Sequence, residues 1–222
     1  MQGIQILFII GIIALIAFSI WRSGERRKRL GQWAASNGLS FSSSSDRSFR
    51  HQYPSFGCLH RGHSESAYNL ASGRRNGRTV RAFDYRYVTG HGKNRTTHRF
   101  SAVIVDSQVP LRSLSLRSEG LFDKVTEFFG LDDIDFESAE FSRTFHVRSS
   151  DKKWAYDVLH QRTMAFLLES PRFSLEFDRN SVIAWRNRRF DTQTFDAALA
   201  VIEGVLDRIP KYVHNPSGNL AS

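Results

Sequence analysis

Cysteine occurs once in the 222 residues, at Cys58, which excludes an intrachain disulfide and agrees with a reducing compartment. Charged side chains are missing altogether from Met1 to Trp21. Motifs of the familiar enzyme classes are missing too: there is no Gly-x-Ser-x-Gly elbow, no Cys/His nucleophile arrangement, no His-Glu-x-x-His and no dinucleotide fingerprint. No repeat with a period of roughly 20–50 residues is visible, so solenoid and propeller arrays are excluded. What remains is one ordinary domain with an appendage, on a prior of roughly 100–200 residues per domain.

The appendage is apolar. From Ile4 to Ile20 the chain is Ile, Leu or Phe, broken only by Gln5, Gly11, Ala14, Ala17 and Ser19. As a helix, Ile4 to Trp21 spans roughly 27 Å, close to the ~30 Å hydrocarbon core, and Trp21 falls where an interfacial aromatic belongs. Insertion is favourable by roughly 4–7 kcal/mol before the polar residues are subtracted. Arg22, Arg26, Arg27, Lys28 and Arg29 follow against the single Glu25. The positive-inside rule then predicts a single-pass protein whose C-terminal domain is cytoplasmic. A cleaved signal peptide is the rival, but its basic region belongs before the apolar run.

This basic cluster accounts for much of the formal charge of +9. Beside a span it reads as a topology signal that also attracts anionic lipid headgroups, at about 1 kcal/mol per basic residue. Nucleic-acid binding is correspondingly weakly supported. The expected segments are an anchor over 1–21, a basic juxtamembrane helix over 22–38, a globular α+β domain over 39–214 and a flexible tail over 215–222.

The basic helix, carrying Leu30, Trp33 and Ala34, ends at Asn37-Gly38, where glycine supplies the left-handed conformation. Leu39 to Phe41 reads as a short strand and Ser42 to Asp46 as a loop or cap. Asn76-Gly77 is the dipeptide of a type I′ hairpin. That turn sets Leu70 opposite Phe83, Tyr68 opposite Tyr85 and Asn69 opposite Asp84. Tyr68, Leu70, Phe83, Tyr85 and Tyr87 then share one face, and Asn69, Ala71, Val80, Ala82 and Asp84 the other. Arg99 to Asp106 is apolar on both faces and predicts a central strand, and Leu111 to Leu116 a further one. Gly120 to Phe129 predicts a short helix closed by Gly130, and Phe141 to Val147 a strand. Ser150 or Asp151 caps a helix to about Leu168, with Trp154, Val158, Ala165 and Leu168 along one stripe. Phe173 to Phe177 and Ile183 to Trp185 flank an Arg179-Asn180 turn. A last helix, Phe195 to Ile209, is stopped by Pro210. The fold class is α+β: an N-terminal transmembrane helix, then a mainly antiparallel sheet with helices packed on it.

Four groups carry candidate chemistry. Lys93 and Arg95, in Gly90-His91-Gly92-Lys93-Asn94-Arg95, suit an anion or headgroup, although the loop lacks P-loop spacing and an exposed connection is the simpler reading. Cys58, His60 and His63 have zinc donor types without an established spacing, so no metal and no cofactor is expected. Asp132, Asp133, Asp135 and Glu137 lack the EF-hand pattern and read as a solvated acidic loop. Asn69 opposite Asp84 is a polar pair that burial would oblige to bond, and Asp84 with Arg86 is a candidate pocket wall.

The strings Tyr68-Asn69-Leu70 with Gly73, Phe83-Asp84-Tyr85-Arg86-Tyr87, Gly90-x-Gly92-Lys93, Phe129-Gly130 with Asp133 to Glu137, and Phe141-Ser142-Arg143 resemble an uncharacterised group of bacterial proteins with one N-terminal transmembrane helix. The resemblance implies a bacterial inner-membrane protein and transfers no catalytic residue. The leading expectation is a membrane-tethered binding or scaffold domain, with the bilayer, anionic headgroups and a second membrane protein as partners. An enzyme with a site around Asp84 and the acidic loop, and a nucleic-acid binder, are the rivals.

Overall fold

The computed structural model describes residues 2–118 and 134–210, with residue 212. The expected helix over 120–129, its neighbours Asp132 and Asp133, and the tail over 215–222 lie outside these. In chain order the elements are α1 (Gln2–Ser36), β1 (Ser40–Ser42), β2 (His63–Arg75), β3 (Arg78–Thr89), β4 (Thr96–Asp106), β5 (Leu114–Ser118), α2 (Ala139–Thr144), β6 (Phe145–Ser149), α3 (Lys152–Val158), α4 (Gln161–Glu169), β7 (Ser174–Asp178), β8 (Ser181–Arg186) and α5 (Thr192–Arg208). The strands form one antiparallel sheet in the order β1-β2-β3-β4-β8-β7-β5-β6, so the fold is α+β with β4 central.

Alternation along the strands gives the sheet two apolar faces. Val80, Ala82, Val103, Val105, Val182 and Ala184 face the helices, meeting Phe195, Leu199 and Ile202 of α5 and Leu30, Trp33 and Ala34 of α1. Phe83, Tyr85, Phe100, Ile104, Ile183 and Trp185 face the other way, beneath Phe49, Tyr53, Phe56 and Leu59 of the segment between β1 and β2. Burying each such aromatic contributes about 1.5–3 kcal/mol.

Helix α1 has two lives. From Leu7 to Gly24 it is exposed on every side, with Leu7, Phe8 and Leu15 each at 70%. The stretch Leu7–Ser36 is long and apolar enough to cross a membrane. Its last turns belong to the core: Leu30, Trp33 and Ala34 are buried, and Trp33 donates to Asp196 at 2.9 Å. Gly38, at φ 68, ends it as expected.

Several elements depart from the sequence reading. The hairpin register holds from Arg75↔Arg78 to Ala71↔Ala82, then slips by one, so Tyr68 pairs with Asp84 and Ala67 with Tyr85. The cause is a bulge at Asn69, at φ 51, a left-handed conformation that asparagine tolerates better than most residues. Tyr68 therefore lies on the Asp84 face, opposite to expectation. The stretch from Phe141 is helical until Thr144, because Ser138 accepts from the Phe141 amide and caps α2, and the strand begins only at Phe145. The long helix after Asp151 is two, α3 and α4, broken at the extended His160. The break re-phases the stripe, so that Thr163, Met164 and Leu167 are buried and Ala165 is exposed. β1 and β5 each start later than expected, at Ser40 and Leu114.

Gly62, at φ 67, leads the chain into β2, and a side chain there would collide with the Val88 carbonyl. A left-handed residue other than glycine costs about 1–2 kcal/mol before the collision is counted. Gly62→Ala is expected to lower unfolding stability by about 2 kcal/mol or more; equal urea midpoints for the two proteins would disprove this.

Candidate anion-binding site

The buried Asp84 organises the region where α1 meets the sheet. Its side chain is wholly inaccessible on β3. Arg26 of α1 presents its fork, with Nε donating to Oδ2 at 2.8 Å and Nη2 to Oδ1 at 2.6 Å. The Asn69 amide donates to Oδ2 at 2.8 Å and the Ser101 hydroxyl to Oδ1 at 2.5 Å. Each carboxylate oxygen thus accepts twice, which meets the requirement for a buried charge. The third Arg26 nitrogen, Nη1, donates to the Phe190 carbonyl at 2.8 Å, and the Phe190 amide donates to Ser101 Oγ at 2.9 Å. One cluster thereby fastens α1, β2, β3, β4 and the segment before α5.

Two open grooves flank α1 beside this cluster, each of about 550 Å³. The first, toward α5, has Arg22, Arg26, Arg29 and Arg189 in its wall, with Asp191 among them. The second, toward β2, β3 and β4, has Arg27, Arg47, Arg86, Arg99 and Arg189, with Tyr68 and no acidic residue. Its α1 side is Ser19 and Ser23, so it opens within a turn of Trp21. Arg86 donates to Ser66 at 3.2 Å. Among the described residues, no carboxylate lies within ion-pair distance of Arg27, Arg47, Arg99 or Arg189. Such a cluster repels itself and attracts an anion, at about 1 kcal/mol per interfacial arginine toward an acidic lipid surface.

The expected site residues are distributed as follows. Arg22, Arg27 and Arg29 line the grooves, Lys28 is exposed outside them, and Arg26 turns inward to Asp84. Arg86 lines the second groove, whereas Asp84, saturated by four donors, lines neither. Lys93 and Arg95 are exposed on the β3–β4 connection, apart from both grooves. Cys58 sits in a buried 3-10 turn, not on a strand. His60 contacts the Tyr53 carbonyl and His63 the Gly90 carbonyl, each at 3.1 Å. Asp135 and Glu137 are exposed. Arg47, Arg99, Arg189 and Tyr68 escaped the sequence reading: they come from four separate segments, and the bulge reverses Tyr68.

A second buried charge lies on the opposite face. Glu176 of β7 is 3% exposed and accepts from Trp185 Nε1 at 3.1 Å, while the Arg61 guanidinium stacks 4.3 Å over the Trp185 ring. Burial raises its pKa from the ordinary 4.5, against the pull of Arg117 and Arg61.

Among solved structures, the fold is similar to the crystal structure of the mycobacterial trehalose monomycolate transport factor A, with a TM-score of 0.62 and 15% sequence identity. The match covers 83% of this chain and 96% of that one. At this identity the likeness is one of fold. No protein-family model matches the sequence, and no curated protein does.

Two predictions follow from these buried charges. Removing one partner of a buried ion pair leaves the other uncompensated, so Asp84→Ala and Arg26→Ala should each lose about 3–5 kcal/mol, with Arg26 at the lower end because it is partly exposed. The double variant should lose less than the sum by at least about 1 kcal/mol in equilibrium denaturation of the full-length protein in detergent, and strict additivity would refute the coupling. For Glu176, the folded state holds its proton more tightly than the unfolded chain. Its contribution is therefore complete below the ordinary 4.5 and is lost as pH rises through the folded value. Relative to wild type, Glu176→Gln should gain stability as pH climbs from 4.5 toward neutrality; a difference independent of pH would contradict this.

Proposed function

We propose that the chain is a bacterial single-pass inner-membrane protein whose folded domain lies in the cytoplasm and serves as a tethered binding or scaffold domain. One observation carries the reading. The helix with the exposed apolar half is the same helix whose other half is locked into the core by Arg26, Leu30, Trp33 and Ala34. A domain attached in this way is held against the bilayer surface in one attitude, not suspended on a flexible leash, so whatever it binds is concentrated there. Charge supports the orientation: Arg22, Arg27, Lys28 and Arg29 stand exposed just past the apolar run, as the cytoplasmic end of a span requires.

The neighbour in fold is named as a transport factor, which is compatible with a non-catalytic, membrane-associated role. The Asp84 carboxylate, wholly engaged by its own protein, has no acceptor position free to act as a general base.

A reporter fused after Ser222 tests the placement. A cytoplasm-dependent reporter should be active and a periplasm-dependent one silent. The reverse pattern would overturn the orientation.

A further inference from the structure

The second groove is built for an anion, and its position says which one. We infer that the groove between α1 and strands β2, β3 and β4 seats the phosphate headgroup of an anionic phospholipid from the leaflet surrounding α1. This rests on the reading of α1 as a membrane span.

Three features lead there. Arg27, Arg47, Arg86, Arg99 and Arg189 converge on one groove with no carboxylate in its wall. Among the described residues none of the five has a carboxylate within ion-pair distance, whereas six carboxylates pair with other arginines of the chain. The cation type also fits: a guanidinium offers a planar fork that meets phosphate oxygens with two parallel bonds. Tyr68 and five serines, which carry neutral hydroxyls, line the groove beside them.

The third feature is depth. Ser19 belongs to the apolar run and Ser23 follows Trp21, so the groove mouth is level with the end of the exposed apolar surface. A lipid whose tails lie along Leu15, one turn before Ser19 on the same face of α1, would carry its phosphate into that mouth. A soluble phosphate has the same headgroup chemistry and no such guide. A neutral zwitterionic headgroup carries its own cation into a groove that already has five. Selectivity for net negative headgroups is the expected result.

The test uses full-length protein in nanodiscs of phosphatidylcholine with a minor share of phosphatidylglycerol, followed by native mass spectrometry of the protein released with its retained lipids. Wild type should enrich phosphatidylglycerol over its share in the disc. Arg47→Gln with Arg99→Gln should reduce that preference by roughly thirtyfold, the scale expected from losing two interfacial arginines, and each single variant by less. Lys93→Gln with Arg95→Gln, on the β3–β4 connection, should leave it unchanged. Arg47 and Arg99 are exposed, so a circular-dichroism melt should match wild type; if the double variant melts early, the single variants decide.

No enrichment by wild type, or equal enrichment by both double variants, overturns the inference. Displacement of the lipid by inorganic phosphate, or by a short single-stranded oligonucleotide, overturns it in favour of a soluble anion or of nucleic acid. Alkaline carbonate washing of native membranes separates this from failure of the underlying reading. Protein that washes off sinks the span itself, whereas protein that stays but shows no headgroup preference sinks only the groove.

Discussion

A carboxylate buried on a central region of a sheet has to be neutralised, and Asp84 is neutralised by a residue of the helix that carries the apolar run. The desolvation of a buried carboxylate costs several kcal/mol unless it is paired and fully hydrogen-bonded. Here the bidentate Arg26, the Asn69 amide and the Ser101 hydroxyl meet that demand together. The sheet is therefore complete only when α1 is docked. Since Arg26 also holds the Phe190 carbonyl, the segment that brings Arg189 to both grooves is fixed by the same contact. Apolar helix, core and groove share one electrostatic condition.

The distribution of the other charges follows a division of labour. Glu65 pairs with Arg50, Asp106 with Arg81, Glu203 with Arg75, Asp207 with Arg78 and Asp151 with Arg112. These are partly exposed pairs, each worth little to stability at the surface. Their effect is to remove positive charge from the body of the domain. A group of arginines with no carboxylate in reach among the described residues remains at the root of α1, so positive charge is left where the apolar helix ends. A field arranged in this way acts over roughly a Debye length, about 8 Å at physiological ionic strength, which suits a surface in contact better than a distant partner.

Much of the fold was legible because it rests on short-range rules. Asn76-Gly77 made the turn it favours, Gly38 closed α1, Asp151 capped its helix, and the spacing from Phe195 to Ile209 marked α5. The failures came where tertiary demands overrode a local pattern. Phe141 and Phe145 are both buried whether the backbone between them is helical or extended, so alternation could not tell one from the other. The stripe after Asp151 was read as one helix because its apolar residues are dense, yet an extended His160 lets α3 and α4 each turn a face inward. The candidate site was half legible. The arginines after Trp21 are contiguous in sequence, but Arg47, Arg99 and Arg189 meet them only through the sheet, and no periodicity announces a contact of that range.

The bulge at Asn69 shows why a small backbone irregularity decides so much here. In a regular hairpin, Asn69 would face Asp84 directly and Tyr68 would lie on the opposite side with Tyr85. The extra residue slips the register, yet the left-handed Asn69 still reaches Asp84, so the buried carboxylate keeps its amide donor. The same slip carries Tyr68 across the sheet, where it lines the arginine groove with Arg86 and Arg99. Straightening the strand would return the tyrosine to the aromatic face and take a neutral donor out of the groove wall. A bulge is costly to a ladder and tends to be kept where it re-aims a side chain. Here one displaced residue serves both the ion pair that docks the helix and the groove that the helix overhangs.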